Sequence, residues 1–549
     1  VADRPQAKRP WDNPRTAWLT LLLVAGLVRL FVFAGAIGDP AYSAYRFDEV
    51  VFDRLADLLS RGRADAIAAP FFLSPLWTLL LTATYKVAGV SPLAALALQQ
   101  LIGLATLLLL WRLASRLLAP ATAFWTAAAW ALCGPQLFYE TRLLADPVVA
   151  FATLLAAWTF VRLSERPSLL RAALLGAALA VATLGRPNIA LVALPIGLLL
   201  LLPNRDASPA IGLKRRIGLL VVAAVAGSII LAPVVWFNGQ RGSMSPSAAS
   251  GGINLYIGNH AAADGTWTIP TGWVLKQDTS ELPREARRIA EAELQRPVSA
   301  GEVNDHWRTQ ALRIRSSDPV GTLRLTGQKL LLALQSDEVP DNRTYEYDRQ
   351  FMGILALPLF PPAGLFIVLG LPGLAILIMR GRQRATLLLF GLLLPLGTML
   401  LFFVVGRYRL PWLPFLAIGA GAFVEWGRVQ LAVRQERRLL AGLTVVLAIA
   451  LLSFWPGRES HFRHEQFLRA NDLQSLGSPL EAVALYEGLF DSPRLGDMAR
   501  WNAARAWLEA GRPKAAHDLL LHLQQLRAAA GDSAGAAEAG RLAAEVMEP

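Results

Sequence analysis

The chain has 549 residues, 54% of them hydrophobic and only 17% charged, whereas a soluble protein carries about 25% charged residues. Runs of about 20 apolar residues recur, each long enough to cross roughly 30 Å of hydrocarbon, which excludes an ordinary soluble globule. The net charge of +12 does not point to nucleic acid, because Lys and Arg gather in short loops between apolar runs, where they orient a membrane protein.

Residues 1–15 form a polar, basic tail (Arg4, Lys8, Arg9, Arg15), which places the N-terminus in the cytoplasm. The first apolar run is too long for the core of a cleavable signal peptide. It leads outward to Tyr45-Arg46-Phe47-Asp48-Glu49, so this acidic pair is expected on the outer side. Val51, Leu55, Leu58 and Leu59 recur at helical spacing, and Val50 to Arg61 reads as an amphipathic helix on the membrane surface. Charge decides the role of Phe71 to Val90. If this run does not cross, the clusters Arg112/Arg116, Arg162/Arg166/Arg171, Arg205/Lys214/Arg215/Arg216, Arg380/Arg382/Arg384 and Arg428/Arg434/Arg437/Arg438 all face the cytoplasm. If it crosses, they all face outward, against the positive-inside rule. The run therefore reads as a juxtamembrane or re-entrant hairpin packed on protein.

The expected spans are 16–36, 93–118, 119–140, 146–163, 169–185, 187–203, 217–237, 361–379, 385–405, 410–427 and 439–455. The fold class is thus all-α: a polytopic bundle of eleven spans, N-terminus in and C-terminus out, forming a module over 16–455. Cys133, the single cysteine, lies in an apolar run and reads as a small core hydrophobe. Two segments lie outside the membrane besides the first outer loop, 37–92. Residues 238–350 form a large outer loop, with turn-rich stretches at Gly251-Gly252-Ile253-Asn254 and Gly258-Asn259-His260, then two helices, the second opened by the capping box Ser299 to Glu302. Residues 456–549 carry matched positions 34 apart (Gly477 and Gly511, Ala482 and Ala516, Tyr486 and Leu520), the period of a tetratricopeptide repeat. An unrelated pair of helical hairpins is the alternative.

In this topology Asp48, Glu49, Glu140, Arg142, Asp146, Arg186, Arg407 and Arg409 all sit at outer span ends. Acids at that depth are costly and tend to be functional. Each also has an ordinary reading: Asp146-Pro147 as a helix start, Arg142 and Arg186 snorkelling to the interface, Arg407 and Arg409 on lipid phosphate, Asp48 on Arg46. The set nonetheless suits one reaction. A sugar carried on a lipid phosphate presents a leaving group that arginines stabilise. A hydroxyl acceptor arriving from the watery side needs a base, for which a carboxylate serves.

Around these residues the chain resembles the C-type membrane glycosyltransferases, in particular the polyprenyl-phosphate-sugar group that includes protein O-mannosyltransferases and the aminoarabinose transferase of lipid A. The resemblance covers about 40–455 and rests on an ordered set: Phe47-Asp48-Glu49, Ala145-Asp146-Pro147, Gly185-Arg186-Pro187-Asn188, Gly251 to Asn259, Glu338-Val339-Pro340-Asp341-Asn342 and Arg407-Tyr408-Arg409-Leu410-Pro411. It implies an inverting transfer from a polyprenyl-phosphate sugar, at the outer face of a bacterial inner membrane, to an acceptor glycan, lipid or protein. Asp48 is then the base, Glu49 orients Asp48, the acceptor or an ion, and Asp146 is a second acid. Arg142, Arg186, Arg407 and Arg409 are the candidate ligands of the donor phosphate; Asn259, His260 and Tyr345 are candidate acceptor or pocket residues. A divalent cation, Mg or Mn, is an optional cofactor on Asp48 and Glu49. The sequence departs from the family where a Lys-Pro often follows the first-loop helix: Ala69-Pro70 and Ser74-Pro75 stand there. The helical repeats offer a docking surface to a protein partner or acceptor. Two rivals remain, a lipid or polysaccharide transporter and a non-catalytic membrane scaffold presenting the repeats.

Overall fold

The computed structural model describes residues 14–202, 212–273, 281–381, 383–455, 460–493 and 495–547. The basic tail before Pro14, Arg205 and Arg382 of two basic clusters, and the connection at 456–459 lie outside the described residues. The described residues are helical, with no strand among them. They form two compact units, one from residues 1–33, 46–345 and 357–455, the other from 34–45, 346–356 and 456–549.

The first unit begins with the apolar helix α1 (Pro14–Ile37), whose last turn belongs to the second unit, and resumes with the short α2 (Asp48–Ser60). Next come α3 (Pro75–Ala88) and α4 (Pro92–Leu117), started alike: the hydroxyls of Ser74 and Ser91 accept from Trp77 N and Ala94 N, and a proline fills the first helical position. At 14 residues, α3 packs on α2, α4 and α8 (Leu169–Gly185). The stretch expected as one span at 119–140 is instead two helices, α5 (Pro120–Ala131) and α6 (Gly134–Tyr139), because Pro135 cannot continue a helix from Ala131. Between α6 and α8 runs α7 (Asp146–Glu165). Helix α8 stops at Gly185, ahead of Pro187, and α9 (Ala193–Leu201) and α10 (Leu213–Gly239) follow.

The large loop contributes α11 (Gly251–Ile257), α12 (Leu282–Leu294), α13 (Ala300–Ser317) and α14 (Pro319–Leu334). The capping box at Ser299 and Glu302 is present, and Ile253, Ile257, Trp273, Trp307 and Phe403 share one core. After the short α15 (Tyr345–Asp348), the bundle closes with α16 (Ala363–Met379), α17 (Arg384–Leu388), α18 (Leu394–Leu401), α19 (Leu413–Ala432) and α20 (Glu436–Ser453). A π-turn at Leu389–Leu393 joins α17 to α18. Helices α16 and α19 approach backbone to backbone, since a Cβ on Gly373 would meet the carbonyl of Gly419 and one on Gly370 would lie 2.5 Å from the carbonyl oxygen of Leu416.

Five helices are long and apolar enough to cross a bilayer: Thr16–Ile37, Pro92–Leu117, Asp146–Glu165, Leu213–Gly239 and Arg384–Leu401. Leu169–Gly185, Pro187–Leu201 and Ala363–Met379 are apolar but shorter. Eleven crossings were expected; by length and composition five helices qualify among the described residues. Leu19, Leu23, Leu27 and Leu30 of α1 and Leu440, Leu443, Leu447 and Leu451 of α20 are exposed, as lipid-facing residues are.

The second unit holds α21 (Ser460–Ser475), α22 (Pro479–Glu487), α23 (Gly496–Glu509), α24 (Pro513–Ala529) and α25 (Ser533–Met547), each packed on the next. Gly477, Gly511 and Gly531 turn the chain with φ of 80°, 70° and 83°, which glycine adopts without strain. Ala41 packs in the core of α21–α23, and Asp39 receives both terminal nitrogens of Arg469 at 3.0 and 2.6 Å. This unit therefore includes the residues just before the acidic pair as well as the C-terminal helices.

Candidate active site

Asp48 and Asp146 are the first residues of α2 and α7, where unpaired backbone N–H groups favour a negative charge. Phe47 takes up the bend into α2 at φ 45°, a left-handed conformation that costs an aromatic residue energy and fixes where Asp48 starts. Neither carboxylate caps its own helix. Both turn to Arg407, whose Nη2 lies 2.8 Å from Asp48 Oδ2 and whose Nη1 lies 3.6 Å from Asp146 Oδ2. A third carboxylate completes the set, with Asp341 Oδ2 2.5 Å from Arg407 Nε. Arg186 pairs with Asp146 and lies over the Tyr408 ring, 3.9 Å from its centre. The ordinary helix-start reading of Asp146 is thus corrected: Ala145 holds the cap position, and the Asp146 carboxylate serves the two arginines.

Backbone fit sets this convergence. Gly406 N donates to Val339 O at 2.9 Å, and a Cβ on Gly406 would lie 2.7 Å from that of Glu338, so the segment bearing Arg407 lies flush on the one bearing Asp341. Upstream of Asp146, Gln99 Nε2 donates to the carbonyls of Tyr139 and Arg142 at 2.9 Å each, and Gln100 Nε2 to that of Glu140 at 2.6 Å. The Glu140 side chain in turn pairs with Arg29 at 2.8 Å, both fully buried, anchoring this turn to α1. Burial pushes the Asp341 carboxyl up, Arg407 draws it back, and the neighbouring Asp48 and Asp146 charges push it up again. Burial opposes the Arg407 charge as well, but the three carboxylates more than offset it and hold the guanidinium well above its usual value.

Asp48, Asp146, Arg186, Arg407, Asn188 and Tyr408 line the polar side of a cavity of about 130 Å³, and Phe52, Phe72 and Phe402 its apolar side. Ser74 also lines it. Glu49 is adjacent in sequence to Asp48 but differently engaged: it accepts from Arg343 Nη2 at 3.1 Å and from Arg46 N at 3.0 Å.

Of the four arginines assigned to the donor phosphate, Arg186 and Arg407 reach this cavity and Arg142 and Arg409 do not line it. Arg142 is buried against the Phe138 ring at 5.2 Å, and Arg409 donates to the carbonyls of Gln335 and Asp337. Asn259, His260 and Tyr345 also lie off its lining. Asn259 Oδ1 accepts from Lys329 and Arg315 at 2.9 and 3.1 Å, while its Nδ2 donates to Leu401 O at 2.8 Å, closing the C-terminal end of α18. His260 Nδ1 accepts from Ala262 N at 3.3 Å, and burial pushes its imidazole pKa down. Tyr345 is fully buried, its ring tilted on Phe138 and its N–H donating to Glu338 at 3.3 Å. Sequence reasoning missed Asp341 and Arg343; Asp341 stood inside a quoted motif, and nothing in its type or spacing set it apart. For a cation, Asp48 and Glu49 are divided between two arginines, and no group of three or more His, Cys, Asp or Glu side chains gathers as a ligand set among the described residues.

A helical bundle with two acids at helix starts, each paired with an arginine, suits transfer chemistry at a lipid phosphate. Residues 72–237 match the profile of the family described as dolichyl-phosphate-mannose-protein mannosyltransferase. The match covers 166 of the 549 residues. No curated protein matches the chain. Among solved structures it is similar to the archaeal oligosaccharyltransferase AglB from Archaeoglobus fulgidus in complex with an inhibitory peptide and a dolichol-phosphate, at 12% identity and a TM-score of 0.43, over 88% of this chain and 59% of that one. The chain thus spans about three fifths of that relative's length. The Archaeoglobus fulgidus oligosaccharyltransferase complex with Zn and sulfate has 13% identity and a TM-score of 0.40, over 82% and 55% of the two chains. ArnT from Cupriavidus metallidurans in the apo state has 17% identity and a TM-score of 0.40, over 93% and 81%.

Proposed function

We propose that this chain transfers a sugar from a polyprenyl-phosphate donor to an acceptor hydroxyl with inversion, using the Asp48–Arg407–Asp146 cluster. The observation that carries the reading is that one cavity is lined by two carboxylates at helix starts and by the two arginines that pair with them. Asp48 takes the proton of the acceptor hydroxyl as its oxygen attacks the anomeric carbon. The bond from that carbon to the phosphate oxygen breaks on the opposite face. Arg186 and Arg407 receive the departing polyprenyl phosphate and stabilise the charge that develops on it. Asp341 holds Arg407 in place, and Glu49, tied to Arg343, fixes the first turn of α2 under Asp48.

A cavity of about 130 Å³ is smaller than the 300–1,000 Å³ of a typical ligand site. Donor binding therefore widens it, the phosphate competing with carboxylates for Arg407 and so releasing Asp48 to act as a base. A divalent cation, Mg or Mn, is an optional addition to this scheme, on Asp48 once Arg407 turns to the phosphate. The acceptor is a glycan, a lipid or a protein. The C-terminal helices, as tetratricopeptide-like repeats, would dock it or a protein partner. The active face and these repeats are assigned to the outer side of a bacterial inner membrane, on the charge pattern.

Turnover of a radiolabelled polyprenyl-phosphate sugar by the purified protein tests the activity. Sugar transfer with release of polyprenyl phosphate is expected; movement of the intact lipid without cleavage would indicate a transporter, and no turnover with any acceptor class a scaffold. Sidedness is tested at Leu480, which is exposed. Leu480→Cys in a Cys133→Ala background should react with a membrane-impermeant thiol reagent from the outside, and reaction only after permeabilisation would reverse the assignment.

A further inference from the structure

Helix α7 runs from the cavity at Asp146 to a second one, which α4 also lines. Arg162 lies 16 residues beyond Asp146 on α7, about 24 Å along the helix axis. There the structure opens a second cavity of about 770 Å³, lined by Trp111, Arg112 and Arg116 of α4, Phe124 of α5, and Trp158 and Arg162 of α7. It lies within the size range of small-molecule sites, unlike the first.

Its chemistry is that of an anion site at membrane–water depth. Trp18 and Trp111 stack at 4.6 Å, and Arg116 and Arg162 approach the Trp158 ring at 4.8 and 5.8 Å. Aromatic rings of this kind mark the headgroup level. Glu165 pairs with Arg116 and stands 3.7 Å from Arg162, so it neutralises one of the three arginines. No carboxylate is paired with Arg112 among the described residues. Next to Trp18, α1 exposes Leu19 and Leu23, an apolar track for acyl chains.

We propose that this cavity binds the phosphate headgroup of an anionic glycerophospholipid, with its acyl chains against α1. Basic pockets between membrane helices hold anionic headgroups by arginine–phosphate bonds. The net positive charge of the cluster selects against a zwitterionic headgroup, whose own cation would meet the arginines. The site is separate from the transfer reaction and stands whether or not that reading holds.

Native mass spectrometry of the purified full chain, titrated with dioleoyl phosphatidylglycerol and with dioleoyl phosphatidylcholine, tests it. The wild type should retain phosphatidylglycerol about tenfold more tightly than phosphatidylcholine. Each arginine removed should weaken phosphatidylglycerol binding about fivefold, so Arg112→Gln/Arg162→Gln should lose roughly 25-fold. Should the double variant elute or melt abnormally, Arg112→Gln carries the test alone with its fivefold loss. Equal retention of the two lipids, or unchanged phosphatidylglycerol binding in a normally folded variant, would overturn the proposal. Displacement of phosphatidylglycerol by excess inorganic phosphate would overturn it too, and reassign the cavity to a free anion.

Discussion

The two ends of α7 treat charge in opposite ways. At the Asp146 end, three carboxylates and two arginines, all largely shielded from solvent, are mutually paired beside a small cavity. At the Arg162 end, three half-exposed or exposed arginines share one glutamate around a cavity nearly six times larger. A paired, dehydrated cluster holds its groups in fixed geometry and resists foreign ions, which suits a reaction. An excess of one sign open to the headgroup layer suits retention of a lipid. The same residue type, arginine, is thus proposed for two jobs, set by how many acids stand beside it.

The sharpest way to break this contrast is Asp48→Asn, which keeps shape and removes the proton acceptor. Turnover should fall by about two to four orders of magnitude, with normal yield and with the donor still bound. Transfer at the wild-type rate would remove Asp48 as the base and put Asp146 first. The next effect concerns stability. Arg407→Gln leaves Asp48, Asp146 and Asp341 without their shared cation, and breaking a buried pair in this way costs about 3–5 kcal/mol. Adding Asp341→Asn should restore part of the lost melting temperature, because Asp341 is the closest of the three to Arg407. Equal melting of the single and double variants would show that the carboxylates do not depend on Arg407.

Asp48, Asp146, Arg186 and Arg407 were legible in the sequence because each stands at the end of an apolar run, where charge is costly and conspicuous. Asp341 was not, since Pro340-Asp341-Asn342 is also what an ordinary turn looks like; its role comes from the close approach that Gly406 allows. Arg142 and Arg409 sat at the right depth but are folded inward, and no periodicity in a short loop tells which way such a side chain points. The break at Cys133-Gly134-Pro135 was readable from its proline, yet hydropathy averaged over it and yielded one span. The charge pattern led to eleven expected crossings, whereas five of the described helices are long and apolar enough alone. Asn259 and His260, expected at the pocket, do not line this cavity, and Asn259 closes the end of α18.

The smallest effect tests a charge that belongs to neither end of α7. Lys329 on α14 is fully buried, and its ammonium donates to Asn259 Oδ1 at 2.9 Å and to Leu400 O at 3.4 Å. Burial, with the Arg315 charge nearby, pulls its pKa from 10.5 down to about 7. The unfolded chain therefore binds a proton that the folded protein has lost between about pH 7 and pH 10. Stability should rise with pH across that window, and the full cost of the buried charge should be felt below pH 7. Lys329→Met removes the titration while Arg315 still serves Asn259. The variant should gain melting temperature relative to wild type near pH 6 and keep only part of that advantage near pH 9, where the folded amine is neutral and the unfolded one still protonated. A difference of about 2–4 °C between the two conditions corresponds to roughly 1 kcal/mol for a folding unit of moderate size. Melting curves of both proteins at the two pH values measure it. Parallel curves would mean that the ammonium stays charged in the fold, held by the carbonyls at the end of α18 more strongly than burial opposes it.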